Sequence, residues 1–178
     1  MTDLVENKTD YDFNEAVGLA VKGDAEAFAL LYAAVYKDLY HVALYSLKNS
    51  ADAEDVVSET VLDAFSTIRT LRDETAFKAW IMKILSAKIK RKFKEYIKAR
   101  EQVTYGEEAT EPNHDSFDIK FELQNLDNKD KLVLSLSIIC GYTSKQISVF
   151  TGMNHNTVRT RIARAKEKLK ERLQYEQH

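Results

Sequence analysis

Apolar residues recur at helical spacing through nearly the whole chain. Phe13, Val17 and Ala20 with Val21 mark a first short helix, and Gly23 is placed to stop it. Asp24 is an N-cap residue for a long helix over Ala25 to Leu47, whose inward positions are Phe28, Leu31, Val35, Leu39, Val42 and Leu47. Asn49-Ser50 punctuates, and Ser50 or Asp52 is placed to cap a third helix, with Glu54 or Asp55 in its first turn favouring the dipole. That helix runs to about Thr70 and turns Val57, Val61, Ala64, Phe65 and Ile68 to one face. A short polar connection follows, and Asp73 or Thr75 opens a fourth helix that continues to about Arg100. The apolar period then disappears over residues 101–118, which hold Gly106 and the only proline, Pro112. It returns in four more stretches, Phe121 to Leu126, Leu132 to Cys140, Ser144 to Thr151 and Asn154 to about Leu173.

Composition supports helices and little else. One proline and five glycines in 178 residues disfavour a turn-rich β sandwich or barrel. The chain is 44% hydrophobic and 30% charged, a soluble globular balance. A single cysteine, Cys140, excludes an internal disulfide and any cysteine-based zinc cluster, and its apolar run LSLSIIC reads as a place for a small buried residue. No apolar run approaches the roughly 20 residues that cross a bilayer, and the acidic start MTDLVENKTDYDF lacks a signal peptide's apolar region. A cytoplasmic protein with no membrane insertion is expected.

Charge changes the picture only when it is read by segment. The net charge of −2 argues against a partner that is a polyanion. Yet residues 78–100 carry nine basic residues and one acidic, and residues 155–172 carry seven and two. Between them, residues 101–130 carry two basic and nine acidic. Two basic blocks separated by an acidic one suit a chain that meets a polyanion at two places.

The sharpest local pattern is YTSKQISVFTGMNHNTVRTRIARAKEKL, residues 142–169. A short helix, the turn Thr151-Gly152-Met153 and a second helix form a helix-turn-helix. Ile147, Met153, Val158 and Ile162 supply its buried contacts, with Ala165 and Leu169 extending the buried stripe. The other faces of the second helix show Asn156, Arg159, Thr160, Ala163, Arg164 and Lys166. Arginine pairs bidentately with guanine, asparagine with adenine, and small side chains admit a helix close to the bases. The block KAWIMKILSAKIKRKFKEYIKAR is less specific. Lys83, Lys90 and Lys94 share a face, Arg91 and Lys98 form another line, and Phe77, Trp80, Ile81, Ile84 and Leu85 face away. A basic amphipathic helix of this kind suits a membrane surface, a calmodulin-like partner or nucleic acid. The downstream helix-turn-helix favours nucleic acid.

Three segments in order resemble one family. AFALLYAAVYKDLYHVALYSLKNSADAEDVVSETVLDAFSTI (27–68), AFKAWIMKI (76–84) and residues 121–173 are similar to the extracytoplasmic-function (ECF) sigma factors of bacterial RNA polymerase, in the sigma-70 family. The strings DAEDVVSET and TVRTRIARAKEKL carry the resemblance most strongly. It implies an all-α chain of two small helical domains joined by an acidic linker. Residues 1–9 would be a tail, 10–100 region 2, 101–118 the linker and 119–176 region 4. Region 2 would bind core RNA polymerase and melt the −10 element, and region 4 would read the −35 element, so double-stranded and locally melted promoter DNA are implied partners. A membrane-bound anti-sigma factor, common in the family, is a further implied partner and would hold the protein at the membrane.

The resemblance also implies residue roles. Asp52, Asp55, Ser58, Glu59 and Asp63 would point outward and dock on core polymerase, leaving Val57, Val61, Ala64 and Phe65 inside. Ser58 stands where the family commonly has glutamine. The Thr70–Thr75 loop would capture a flipped −10 base, with Arg69, Arg72, Lys78 and Trp80 beside it. Lys83, Lys88, Lys90, Arg91 and Lys94 would follow the phosphates. Ala87 and Arg91 stand where the family often has Asn and Asp. Arg159, Thr160, Ala163 and Arg164, with His155 and Asn156 before them, would face −35 DNA. The linker, reaching at most roughly 60 Å at about 3.3 Å per residue, would hold the two domains apart. Its six acids would mimic RNA near the polymerase active centre, or serve only as a solvated connection.

Four scattered histidines, with no HExxH, P-loop or GxGxxG, suggest no metal, cofactor or catalytic nucleophile, and so no enzyme. Two other readings stay open on the residues alone. A helix-turn-helix regulator acting without polymerase explains 142–172 but not DAEDVVSET. A module that only sequesters polymerase leaves the basic residues without a role.

Overall fold

The computed structural model describes residues 12–102 and 126–175. The helix expected over Phe121 to Leu126, the domain starts at 10 and 119, and nearly all of the acidic linker lie outside the described residues. Within them the chain forms α1 (Phe13–Val21), α2 (Ala25–Leu47), α3 (Ser50–Thr67), α4 (Phe77–Gln102), α5 (Asn128–Leu134), α6 (Ser144–Thr151) and α7 (His155–Tyr175). Two 3-10 turns, Ile68–Thr70 and Glu74–Ala76, join α3 to α4, and a π-helical turn, Ser135–Ile139, continues α5. No strand occurs among the described residues.

Local chemistry explains most of the boundaries. Asp24 Oδ1 accepts from the amides of Glu26 and Ala27 at 2.9 and 3.0 Å, which starts α2. Lys48, in the left-handed region at φ 61°, ends it. The cap of α3 is Asn49, not Ser50 or Asp52: the amide of Asp52 donates to Asn49 Oδ1 at 3.1 Å. Asparagine is the better cap here because it sits outside the helix with extended backbone. Asp73 opens the turn before α4 through Thr75 N at 3.0 Å. Thr143 and Gln146 form a reciprocal capping box at the start of α6.

Helices α1 to α4 enclose Val17, Leu31, Leu39, Val57, Phe77, Ile81, Met82, Leu85 and Ile89, all essentially inaccessible. Phe65, expected inside, is instead 52% exposed and meets the Phe28 ring edge to face, with centroids 5.1 Å apart. Val57, Ala64 and Ile68 already fill the inward stripe of α3, and Val61 is half-buried at its margin.

The core does not end at α4. Leu132, Val133, Leu136, Ile147, Phe150 and Val158 belong to the same contiguous apolar cluster. Helix α6 lies on α4, while α5 and the π-helical turn lie on α2. The ammonium of Lys90 on α4 donates to the carbonyl of Thr151 at the end of α6. The linker's reach suggested two units held apart, but here they pack on one another. Each half is small enough to leave apolar surface uncovered by itself, and joining the cores covers it.

Candidate polymerase and nucleic-acid interfaces

The expected outward acids of α3 divide into two sets. Asp55 and Ser58 are exposed and have no side-chain partner among the described residues. Asp52, Glu59 and Asp63 instead lie toward α4, one to two turns apart on one line of the helix. The Asp52 carboxylate accepts from Lys92 Nζ at 2.8 Å and from the Tyr96 hydroxyl. Glu59 pairs with Arg91 and, at 3.6 Å, with Lys88, whose ammonium also pairs with Asp63. The reading that all five acids point outward is corrected to this extent: three of them hold the α3–α4 seam. Glu95 of α4 also pairs with Arg91 and Lys92, at 3.6 Å each, so α3 and α4 share the counter-charge of this part of the basic block.

These contacts shift the proton affinities of the two partners in opposite directions. The hydrogen bonds from Lys92 and then Tyr96 hold the Asp52 carboxyl below its ordinary 3.8. Burial and the Asp52 hydrogen bond push the Tyr96 hydroxyl up. A depressed carboxyl stabilises the fold above its unfolded pKa and loses that contribution as pH falls through the folded value. Asp52→Asn is therefore expected to lower the melting temperature at pH 7, with the gap from wild type closing below about pH 3.8. Thermal melts across pH 3–7 check this, and a gap that persists unchanged at the acid end would refute it.

Outside the described family of seam residues lies the segment that joins α3 to α4. Arg69 and Arg72 are exposed and carry no ion pair among the described residues. Lys78 is exposed with its ammonium 5.0 Å from the Phe13 ring centroid. Trp80 is half-buried against Phe77, centroids 6.0 Å apart, so only part of its indole faces solvent. Along α4, Lys83 and Lys94 are exposed, Lys88 and Arg91 are engaged by α3, and Lys90 is half-buried under α6. Burial, reinforced by the nearby Lys129 and Lys94 charges, lowers the Lys90 pKa. The structure thus gathers Arg69, Arg72, Lys78 and Trp80 in one short stretch, and separates the α4 lysines by face.

In the helix-turn-helix, Gly152 takes φ 65°, a conformation that favours glycine, and the α6 chain reverses there. Ser148 Oγ donates to the Met153 carbonyl at 2.7 Å, and Asn156 N donates to Asn154 Oδ1 at 2.9 Å to start α7. Ile147 and Val158 are fully buried across the turn, with Met153 and Ile162 half-buried beside them. His155, Asn156, Arg159, Thr160, Ala163 and Arg164 are all exposed. His155 Nε2 lies 2.9 Å from Ser144 Oγ. Arg159 and Arg164 have no ion pair among the described residues, so their guanidinium groups stay available to a ligand.

Arg161 behaves differently, and sequence reasoning missed it. It donates to Asp130, which is 4% exposed, and to Asp127 at 3.1 Å. The hydrogen bond to Asp130 raises its pKa. The signal was present: Arg161 stands three residues after Val158 and four before Ala165, inside the buried stripe. Burial also pushes the Cys140 thiol up to about 12, which suits the inert role expected of it.

Both halves of the chain match known protein families. The family model of Sigma-70 region 2 matches residues 31–99, and that of Sigma-70, region 4 matches residues 117–169. The chain is 29% identical over 133 residues to RNA polymerase sigma factor SigV of Bacillus subtilis (strain 168), covering 72% of this chain and 80% of that one. It is 26% identical over 190 residues to the ECF RNA polymerase sigma-E factor of Haemophilus influenzae, covering 96% and 98%. Its fold is similar to CnrH in complex with the cytosolic domain of CnrY, at a TM-score of 0.70 and 22% identity over 92% of this chain and 99% of that one. It is also similar to the sigma factor RpoE in complex with the anti-sigma factor NepR from Bartonella quintana, at 0.68 and 22% over 84% and 98%.

Proposed function

This chain belongs to the sigma-70 family, as an ECF-type sigma factor that directs promoter-specific transcription, and we propose how its surfaces divide that work. Asp55 and Ser58 on the open face of α3 meet core RNA polymerase, with Asp52, Glu59 and Asp63 at the margin of the same surface. Arg69, Arg72, Lys78 and Trp80 receive the melted −10 strand, and Lys83 and Lys94 follow its phosphates. Lys88, Lys90 and Arg91 reach DNA only when their present partners let go. His155, Asn156, Arg159, Thr160, Ala163 and Arg164 of α7 face the −35 duplex. An anti-sigma factor is proposed as the inhibitory partner, since the similar RpoE is in complex with one. No described helix is long and apolar enough to cross a membrane.

The observation that carries this reading is a contrast on one helix. Arg161 is locked in a buried ion pair, while Arg159 and Arg164 are exposed and unpaired among the described residues. Arginines held out of ion pairs beside small residues suit base-edge contacts. Run-off transcription with purified core polymerase, with and without this protein, on genomic fragments of its host tests the whole. Discrete new transcripts that share upstream elements are expected. Core binding without transcripts would instead favour sequestration, and no core binding would favour a regulator acting without polymerase. On the promoter so found, Arg159→Ala or Arg164→Ala is expected to weaken holoenzyme binding by ~1–3 kcal/mol and relax preference at one −35 position. Unchanged preference in both variants would remove that assignment.

A further inference from the structure

We propose that the packing of the two halves on each other is a resting state, closed by Tyr45 and Lys90, that opens when core polymerase binds. The proposal rests on the reading that residues 69–94 meet the −10 element and α7 the −35 element.

Distance is the first argument. The two elements are centred about 25 base pairs apart, which is about 85 Å at about 3.4 Å per base pair. A compact body of this chain's length is about 40 Å across. Laying both elements on it would bend the intervening duplex through roughly 200°, where bound sites of this length commonly accept about 40–90°. One packed body therefore cannot read both elements, and the halves must separate. The connection between them, with its reach of roughly 60 Å, permits that without unfolding either half.

The contacts between the halves fall on surfaces the function needs. Lys83, Lys90 and Lys94 share one face of α4, and α6 lies on that helix. Lys83 and Lys94 are exposed, but Lys90 between them is half-buried and donates to the Thr151 carbonyl. Helix α6 thus interrupts the line along which a phosphate backbone would run. Burial, then the charges of Lys129 on α5 and Lys94, lower the Lys90 pKa. Its ammonium is poorly solvated in the closed state and gains from release to water or phosphate.

Tyr45 makes the second contact. It stands on α2, in one half, and packs on Leu126, Leu134 and Ala165 of the other. Ala165 follows Arg164 on α7, so Tyr45 holds the back of the helix whose exposed side faces the −35 duplex. His41 flanks the Tyr45 ring, with centroids 6.2 Å apart at 69°. The ring is half-buried and takes no part in the larger apolar cluster, so the core of α1 to α4 does not depend on it. A dominant closed population lowers the apparent affinity for polymerase by the open fraction. Loosening the closure should therefore strengthen core binding, which loss of a merely structural contact would not do.

The test uses the full chain in a Cys140→Ala background, with dyes at Lys22→Cys and Lys168→Cys, one in each half. Energy transfer between the dyes reports closure, titration with core polymerase reports affinity, and thermal melts are run alongside. High transfer is expected in the free chain and low transfer in the complex with core. Tyr45→Ala is expected to lower the free-chain transfer and the melting temperature, yet to raise core affinity about threefold. Tyr45→Phe keeps the ring and should match wild type in all three. A lower melting temperature with unchanged or weaker core affinity would mark Tyr45 as merely structural and overturn the proposal. Transfer that stays high in a holoenzyme on a promoter it melts would overturn it too, while the functional reading stands. If the wild-type chain does not bind core at all, the functional reading falls and this proposal with it. Should Tyr45→Ala fail to fold, Tyr45→Leu carries the same comparison.

Discussion

Phe77→Ala is expected to destabilise the protein by about 3–5 kcal/mol, the range for removing a large aromatic from a close-packed core. Phe77 is fully buried at the first turn of α4. Its ring meets Phe13 at 5.8 Å and Trp80 at 6.0 Å, so one truncation empties space shared by α1 and α4. The surrounding helices cannot collapse into that space without moving the turn before α4. Because the apolar cluster runs on through Leu136, Ile147 and Phe150, the loss should be felt by the whole described fold. Denaturant unfolding followed by far-ultraviolet circular dichroism and by Trp80 fluorescence should therefore shift together, as one transition. Two separated transitions, with only the first shifted, would refute the shared core. Phe65→Ala is the matched comparison. Half of that ring is exposed, so its truncation should cost no more than about 1 kcal/mol.

Arg161→Ala is expected to cost about 3 kcal/mol of stability, because it leaves the Asp130 carboxylate buried without its counter-charge. Asp130 is 4% exposed and Arg161 is 22% exposed at its side chain, which puts the pair toward the lower end of the effect for breaking a buried ion pair. Removing both charges with Arg161→Met and Asp130→Leu together should recover much of the loss, since no isolated charge then remains. Arg159→Ala, two residues away on the same helix, should leave the melting temperature within about 1 kcal/mol of wild type in stability terms. The two arginines are thus predicted to separate cleanly: one variant fails in a melt, the other in promoter binding. Equal melting temperatures for Arg161→Ala and Arg159→Ala would show that the Asp130 pair contributes little.

These two cases also mark how far sequence reasoning reaches. The spacing of Phe28, Leu31, Val35, Leu39 and Val42 was enough to set α2 from Ala25 to Leu47, as observed. The helix-turn-helix was equally legible, because Gly152 in the turn and the apolar positions of α6 and α7 are local signals. Its solvent face followed by subtraction: the exposed positions His155 to Arg164 are those the buried stripe does not use. Arg161 escaped because a long cation next to an apolar stripe looks like any surface arginine until its partner is placed. Asp130 lies 31 residues away, so no helical period could join them.

The charge pattern shows the same division on a larger scale. Counting by segment identified a basic α4, and the family resemblance gave it and the acids of α3 external partners. Which charges face outward was not a local property. The antiparallel packing of α3 on α4 turned Asp52, Glu59 and Asp63 toward Lys88, Arg91 and Lys92, and left Asp55 and Ser58 to solvent.

By itself, then, the sequence determined the helices, the turn chemistry, the family and the residue classes available for DNA and polymerase. Those follow from periodicity and capping, whose range is a few residues along the chain. Tertiary structure decided which acids stay free, which arginine is structural, and that the two halves share one core. Such choices depend on contacts between residues tens of positions apart, and the gain from burying apolar surface and pairing charge exists only once the helices have met.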